Sequence, residues 1–487
     1  MSIDVKNLEP KRLWEKFADL NEVPRPSKKE ERVIAFIKKF GQELGHDTLE
    51  DEVGNVIIKK PATNGLENKK TVVLQSHLDM VHQKNADTVF DFDTQGIDMY
   101  VDGDWVKAKG TTLGADNGLG VATIMAILES TDIEHPEIEA LFTIDEETGM
   151  TGAMGLKGGL LQGEILLNLD TEEDDEIDIG CAGGVDVTAE RNYNEEEVPN
   201  NSVAYIIKVK GLNGGHSGMD IHKGLGNANK IMNRLLFNSF ENFGLQVVEI
   251  NGGSLRNAIP RESTAKVIIS DIFDEAFVFD MQDVINDIKS EHKTTEPSLI
   301  ISIEKEGTLP GKVMDLGVQE GLIRALYAAH NGVYRMSADM SDLVETSNNI
   351  ARVIVKDGKI HIGCLTRSSL ESSKFDLANA LRSTFELIGC EVTISGSYPG
   401  WTPNVNSQIL EVLKDIYKKQ NGTEPHVVAC HAGLECGILS TNYPDMDMIS
   451  FGPTIKGAHS PDERTSISSV QKYWKFVLEI LKNIPQK

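Results

Sequence analysis

The sequence predicts an α/β protein: a mixed, mostly parallel sheet with flanking helices, split by an inserted α+β domain. Three observations predict it. Short apolar runs alternate with helical stretches near both ends of the chain, the pattern of strands joined by crossover helices. The middle changes to strand, helix, strand, strand, helix, strand, run through roughly twice. At 487 residues the chain is long enough for more than one buried core.

The elements follow in order. ERVIAFIKKFGQELG has the spacing of an amphipathic helix. TVVLQSHLDM reads as a strand, GLGVATIMAILES as a buried helix, and EIEALFTIDEE and EILLNLD as two further strands. The pattern shifts after GCAGGVDVTAE. From about Ser202 to Ile394 the strands are VAYIIKVKG, LQVVEING, TAKVIISDIF, SLIISIEKEG, IARVIVKDG, KIHIGCLTR and CEVTISGS. Helices GNANKIMNRLLFNSF, FDMQDVINDIKS, VQEGLIRALYAAH and DLANALRSTFELIG fall between them. SLRNAIPRESTAKVIIS and ETSNNIARVIVKDG are read as occupying matching places in a duplicated insert. The tail returns to α/β character with ILEVLKDIYKKQ, PHVVAC, DMDMISFGP and a closing helix SSVQKYWKFVLEILKNI. The predicted domains are 1–186 and 400–487 together, with 187–399 inserted.

Composition narrows the function. Apolar residues make up 40% and charged residues 25%, ordinary for a soluble globular protein. The net charge of −27, from 75 acids against 48 bases, argues against binding nucleic acid and agrees with binding cations. No apolar run is long enough for a bilayer, and MSIDVKNLEPKRLWEKF has no secretory h-region. Five cysteines in so long a chain do not make a disulfide framework. A reduced, cytoplasmic protein is expected, with no membrane partner.

ALFTIDEETGM carries the first chemical signal. An apolar strand stops in Asp145, Glu146 and Glu147. Crowded acids need a positive partner, or one of them must hold a proton. Other candidate ligands also sit where strands end. His77 and Asp79 are two apart in TVVLQSHLDM, so in a strand both would share a face. Asp116 lies in the Gly-rich GADNGLG, Asp170 ends EILLNLD, and His459 lies in GAHSPDE. Each alone admits a plainer role: an incidental HxD, a helix cap, a solvated acid, a loop histidine. Their joint placement on the edge where open α/β sheets bind ligands favours two divalent cations. Mixed His and carboxylate ligands suit zinc, with manganese or cobalt as alternatives. The chain has no HExxH, no GxSxG and no complete P-loop. CHAGLEC offers too few groups for a thiolate site.

SHLDMV, GADNGLG, the Glu146–Glu147 pair, NLD and GAHSPDE together resemble the dinuclear zinc exopeptidases, a family that includes carnosinases, aminoacylases and peptidase T. The resemblance covers essentially the whole chain. It implies that Asp116 bridges two metals, that His77 and Asp170 complete one site, and that Glu147 and His459 complete the other. It implies Glu146 as general base and Asp79 as the group that orients His77. It further implies substrate contacts from His216 in GGHSGMD, Asn257 in RNAIP and Arg367 in CLTRSS, from an inserted lid. The plainer alternatives are turn residues for His216 and Asn257, and a surface ion pair for Arg367. Glu435 in HAGLECG is a candidate partner for a substrate α-amine.

The implied activity is a metallodipeptidase acting on unblocked dipeptides, with a preference for C-terminal histidine. The competing readings are an N-acyl amino-acid amidohydrolase or tripeptidase with the same core, and a non-catalytic metal or peptide binder. A Glu at position 146 weighs against the binder. Homodimerisation stays open, as does whether His216 acts within its own subunit.

Overall fold

The structure, a computed structural model, describes residues 3–487. The chain divides into two compact units. The first comprises residues 1–180, 403–429 and 434–487, and the second 181–402 and 430–433.

The first unit is built on an eight-stranded sheet. Its middle is four adjacent strands, in the order Ile138–Thr143, Val72–His77, Ile165–Asn168, Asp447–Ser450. All four are parallel. Val72–His77, Ile138–Thr143 and Ile165–Asn168 are buried at every position, as expected for parallel strands covered on both faces. Helix Ala115–Glu129 is buried almost throughout, while helices Lys11–Asn21, Glu31–Glu43, Gln408–Asn421 and Ile467–Lys482 bury one stripe each. The sheet is finished at one side by the antiparallel pair Asp47–Glu50 and Val56–Lys60. Because the four central strands run the same way, the loops after all four leave from one edge. That edge receives every predicted ligand from a strand end.

The second unit is a nine-stranded antiparallel sheet. Strand Ser202–Lys210 shows why one face is covered. Tyr205, Ile207 and Val209 are buried, while Lys208 and Lys210 between and beyond them are not. The buried residues share one core with Leu235, Phe277, Ile323, Leu381 and Phe385 from four helices. The predicted fold class is borne out, insert and duplication included. One set runs Ser202–Lys210, Ala228–Phe243, Gln246–Gly253, Ser263–Ser270, Asp274–Glu291, Ile300–Glu306. The other runs Gly183–Asn192, Leu316–Ala328, Val344–Lys356, Lys359–Ser368, Glu371–Glu386, Glu391–Tyr398. Strands Gln246–Gly253 and Val344–Lys356 join the sets, and the sheet order outward from them is the same on both sides.

The duplication corrects one expectation. The first set lies between the first strand and the first helix of the second. Val344–Lys356, which overlaps ETSNNIARVIVKDG from Glu345 on, is therefore the counterpart of Gln246–Gly253, not of SLRNAIPRESTAKVIIS. The sequence comparison failed because Gly183–Asn192, the missing strand, precedes the first repeat.

Candidate metal centre and substrate-binding residues

In the first unit, three strand ends and two loops bring seven predicted side chains together. His77 closes strand Val72–His77 and is 1% exposed. Its Nε2 is 3.2 Å from Asp116 Oδ1 and 3.5 Å from Asp170 Oδ1. His459 Nε2 is 3.1 Å from Asp116 Oδ2 and 3.0 Å from Glu147 Oε2. The Asp116 carboxylate thus turns one oxygen to each histidine. Glu146 joins His77 and Glu147 in a group whose ligand atoms lie within 4.8 Å of one another.

Asp79 stands two residues beyond His77, the last residue of strand Val72–His77. Its Oδ1 lies 3.3 Å from His77 Nδ1. The same carboxylate accepts from the backbone N–H of Glu146 (3.0 Å) and Glu147 (3.3 Å) and from Ser27 Oγ (2.8 Å). With Nδ1–H turned to Asp79, the His77 lone pair is left on Nε2, the side of Asp116 and Asp170.

The charges of this cluster are strained without a cation. Burial pushes the Glu146 carboxyl well above the usual range, and burial raises Glu147 and Asp170 too. Asp116 is also buried, yet its contacts with His459 and His77 hold it below the ordinary carboxylate value. Contacts with Asp116 and Glu147 lift His459 to about 11. Glu147 Oε1 is buried with no hydrogen-bond partner among the described residues. An orphaned carboxylate oxygen amid two histidines and further acids fits divalent cations. Asp145, the third acid of the run, groups with Asp79 and Glu30, their ligand atoms within 4.8 Å of one another, and not with the two histidines. It binds Lys28 Nζ (2.5 Å) and Thr151 Oγ1 (2.6 Å).

Glu435, also in this unit, is 0% exposed. Its Oε2 accepts from Gln75 Nε2 (2.7 Å) and Thr143 Oγ1 (2.6 Å), its Oε1 has no partner among the described residues, and burial raises it to about 7.

In the second unit His216 and Arg367 come together. Arg367 is 4% exposed and donates to Tyr398 Oη at 2.6 Å. It makes no ion pair among the described residues, so the surface ion-pair alternative does not describe it. His216 Nδ1 accepts from the backbone N–H of Gly218 (3.2 Å) and Met219 (3.0 Å). That assigns the ring proton to Nε2, which faces Arg367 Nη2 at 3.4 Å. With both nitrogens as donors, neither satisfies the other, and both remain able to donate to an oxygen. Burial, then Arg367, lowers His216 to about 4, so the ring is neutral at working pH. Asn257 is exposed, and it is its backbone carbonyl that accepts from Ser217 N at 2.7 Å, beside His216.

Sequence reasoning missed Glu463, Arg25 and Asn117. Glu463 stands inside GAHSPDE, where nothing in the residue pattern marks it as buried. It is 3% exposed and accepts four backbone N–H groups of the Asp116 loop. Burial raises it to about 7 even though those donors favour its charged form. Asn117 donates to Asp170 and to Leu169 O.

Residues 73–483 match the peptidase family M20/M25/M40. The chain belongs to that family. It is accordingly a metallopeptidase, and the family resemblance carried by the five motifs is borne out. The cytosol non-specific dipeptidase of Escherichia coli (strain K12) is 43% identical over 489 residues, covering 99% of this M20 chain and 100% of that protein. The crystal structure of aminoacylhistidine dipeptidase from Vibrio alginolyticus matches with a TM-score of 0.94 at 44% identity, over 99% of each chain. Aminopeptidase PepT from Bacillus cereus shares the fold, with a TM-score of 0.57 at 16% identity over 98% of this chain and 99% of that one. No described helix is long and apolar enough to cross a membrane.

Proposed function

We propose that this M20 peptidase hydrolyses unblocked dipeptides in the cytoplasm, Xaa-His dipeptides among them, with two divalent cations, zinc by preference or manganese or cobalt. The observation that carries the reading is the Asp116 carboxylate, one oxygen toward His77 and the other toward His459, with Glu146 beside them. The dipeptidase names of the two full-length relatives support the substrate class. His77, Asp116 and Asp170 would hold one cation, and Asp116, Glu147 and His459 the other. Bound there, the cations would polarise the scissile carbonyl and acidify the attacking water.

The remaining steps belong to side chains. Glu146 takes a proton from the water on a carboxylate oxygen and hands it to the nitrogen of the leaving amine. Its raised affinity for protons, set by burial, suits both halves of that transfer. Asp79 keeps His77 in the tautomer that leaves Nε2 free. His216 Nε2–H supplies a hydrogen bond to the oxyanion that develops from the carbonyl. The Arg367 guanidinium suits the substrate's terminal carboxylate, and Asn257 its backbone. Glu435 Oε1 is the acceptor left for the α-ammonium group.

The test is hydrolysis of Ala-His, β-Ala-His, Ala-Ala and N-acetyl-Ala after chelation and after adding back each metal. Cleavage of the free dipeptides should return with metal, and N-acetyl-Ala should remain intact. Cleavage of N-acetyl-Ala alone would move the assignment to an amidohydrolase. In the same assay Glu146→Gln should lower kcat by about 10²–10⁴-fold while still binding metal. Glu435→Gln should raise KM, and an unchanged KM would remove that residue from substrate binding.

A further inference from the structure

The loops that carry Asp116 and His459 are far apart in the chain, and one carboxylate ties them. Glu463 lies four residues beyond His459. Its Oε2 accepts from the N–H groups of Leu113 (2.7 Å) and Gly114 (2.9 Å), its Oε1 from Ala115 (2.8 Å) and Asp116 (3.2 Å). These amides belong to the loop that enters helix Ala115–Glu129, ahead of the non-helical residues Asp116 and Asn117. Neither oxygen of Glu463 faces a histidine at hydrogen-bond distance, so it is no ligand itself.

A buried cation completes the arrangement. Arg25 is 1% exposed. Its Nη2 donates to Gly114 O at 2.6 Å, and its Nη1 to Leu78 O (3.1 Å) and Asp79 O (3.2 Å). Gly114 is therefore held on both sides, its N–H by Glu463 and its carbonyl by Arg25. Its φ of +69° and a Cβ that would stand 2.6 Å from Arg25 Nη2 leave room only for glycine. Arg25 binds the segment just past His77 and the Asp116 loop, and Glu463 joins that loop to the His459 segment.

We propose that Glu463 and Arg25 are positioning residues that pre-assemble the metal centre, holding Asp116 between the two histidines before any cation arrives. This rests on the two-cation reading above. A carboxylate is needed because four N–H donors converge on two oxygens. An amide in its place would turn its own N–H₂ toward two of them.

Cobalt(II) alone is the probe. It is titrated into the metal-free protein and followed by visible absorption and by competition with a chromogenic chelator. Wild type should bind two equivalents, and failure of wild type to bind would sink the two-cation reading itself. If wild type binds, Glu463→Gln should bind about 10–100-fold more weakly, with an altered cobalt spectrum, the range for partners that orient ligands from behind. Its kcat should fall while KM for Ala-Ala stays within about threefold of wild type, since the substrate contacts assigned to His216 and Arg367 are untouched. Wild-type cobalt affinity and spectrum in Glu463→Gln would overturn the proposal, whatever the change in its thermal midpoint. Should that variant not fold, Arg25→Lys takes its place. It keeps the charge but cannot reach both loops at once, and the same weakening or its absence decides.

Discussion

Asp79 and His216 show how one hydrogen-bond pattern decides what a side chain can do. Asp79 gives its two oxygens to His77, to Ser27 and to the amides of Glu146 and Glu147, so the proposed ligand and the proposed general base are aligned by the same group. His216 gives its Nδ1 lone pair to two backbone amides, so only Nε2–H is left to act. Burial and the neighbouring Arg367 lower its pKa to about 4. The ring therefore charges only in strong acid. His216→Ala should lower kcat by about 10²–10³-fold, the usual loss for one oxyanion donor. The ratio of wild-type to variant rates should stay flat between about pH 5.5 and about pH 8, above the pKa of the ring. A ratio that titrates near the ordinary histidine value would show that the charged ring is the active form.

At the scale of elements, the helix Ala115–Glu129 is seated by small residues. A Cβ on Gly120 would lie 2.2 Å from Asn117 Oδ1, 2.3 Å from Ser76 Oγ and 2.8 Å from Leu169 O. The glycines of GADNGLG thus let the helix approach the ends of strands Val72–His77 and Ile165–Asn168. Gly120→Ala should cost about 1–3 kcal/mol, measured as a lower midpoint of denaturant unfolding, because buried atoms cannot all retreat. A midpoint equal to wild type would mean that the helix start can slide away. These elements were legible because parallel buried strands read as unbroken apolar runs. Five of the seven ligand-region residues were legible because they fall at or just past the ends of those runs, while Asp116 and His459 were legible through GADNGLG and GAHSPDE. Hairpins were not: Asp47–Glu50 and Met99–Asp102 are short and mostly exposed, and carry no apolar period. Glu463 was illegible for a different reason. Its partners are backbone amides as far as 350 positions away, and amides leave no mark on side-chain pattern.

For the whole molecule, the two units bury opposite kinds of titratable group. In the second unit burial, with Arg367 beside both rings, lowers His431 to about 3 and His216 to about 4. Unfolded histidines take up protons below about pH 6.5 while these two do not. Stability of that unit is therefore full above about pH 6.5 and falls as the pH drops toward about 4. In the first unit burial raises Asp178 and Glu435 to about 7 each. There the folded state keeps protons that the unfolded state has lost, so stability is greatest near about pH 4 and falls as the pH rises toward about 7. His135, lowered by burial, runs the other way but is outnumbered. Each unit of pKa shift is worth about 1.4 kcal/mol at most, and only the part of each titration that falls inside the pH range scanned counts. Hydrogen exchange of the metal-free protein, corrected for intrinsic rates, separates them. Between about pH 5 and about pH 7.5, protection of strand Val72–His77 and helix Ala115–Glu129 should decrease, while that of helix Ala228–Phe243 and strand Val344–Lys356 should increase. Divalent cation at the higher pH should restore protection in the first unit alone, because the proposed ligands Glu147 and Asp170, which burial also raises, would exchange protons for cation. Parallel changes in both units would mean that these buried groups do not govern the pH response. The opposite trends would tie the acid-rich unit's stability to its cation, as the convergence of its ligands on Asp116 requires.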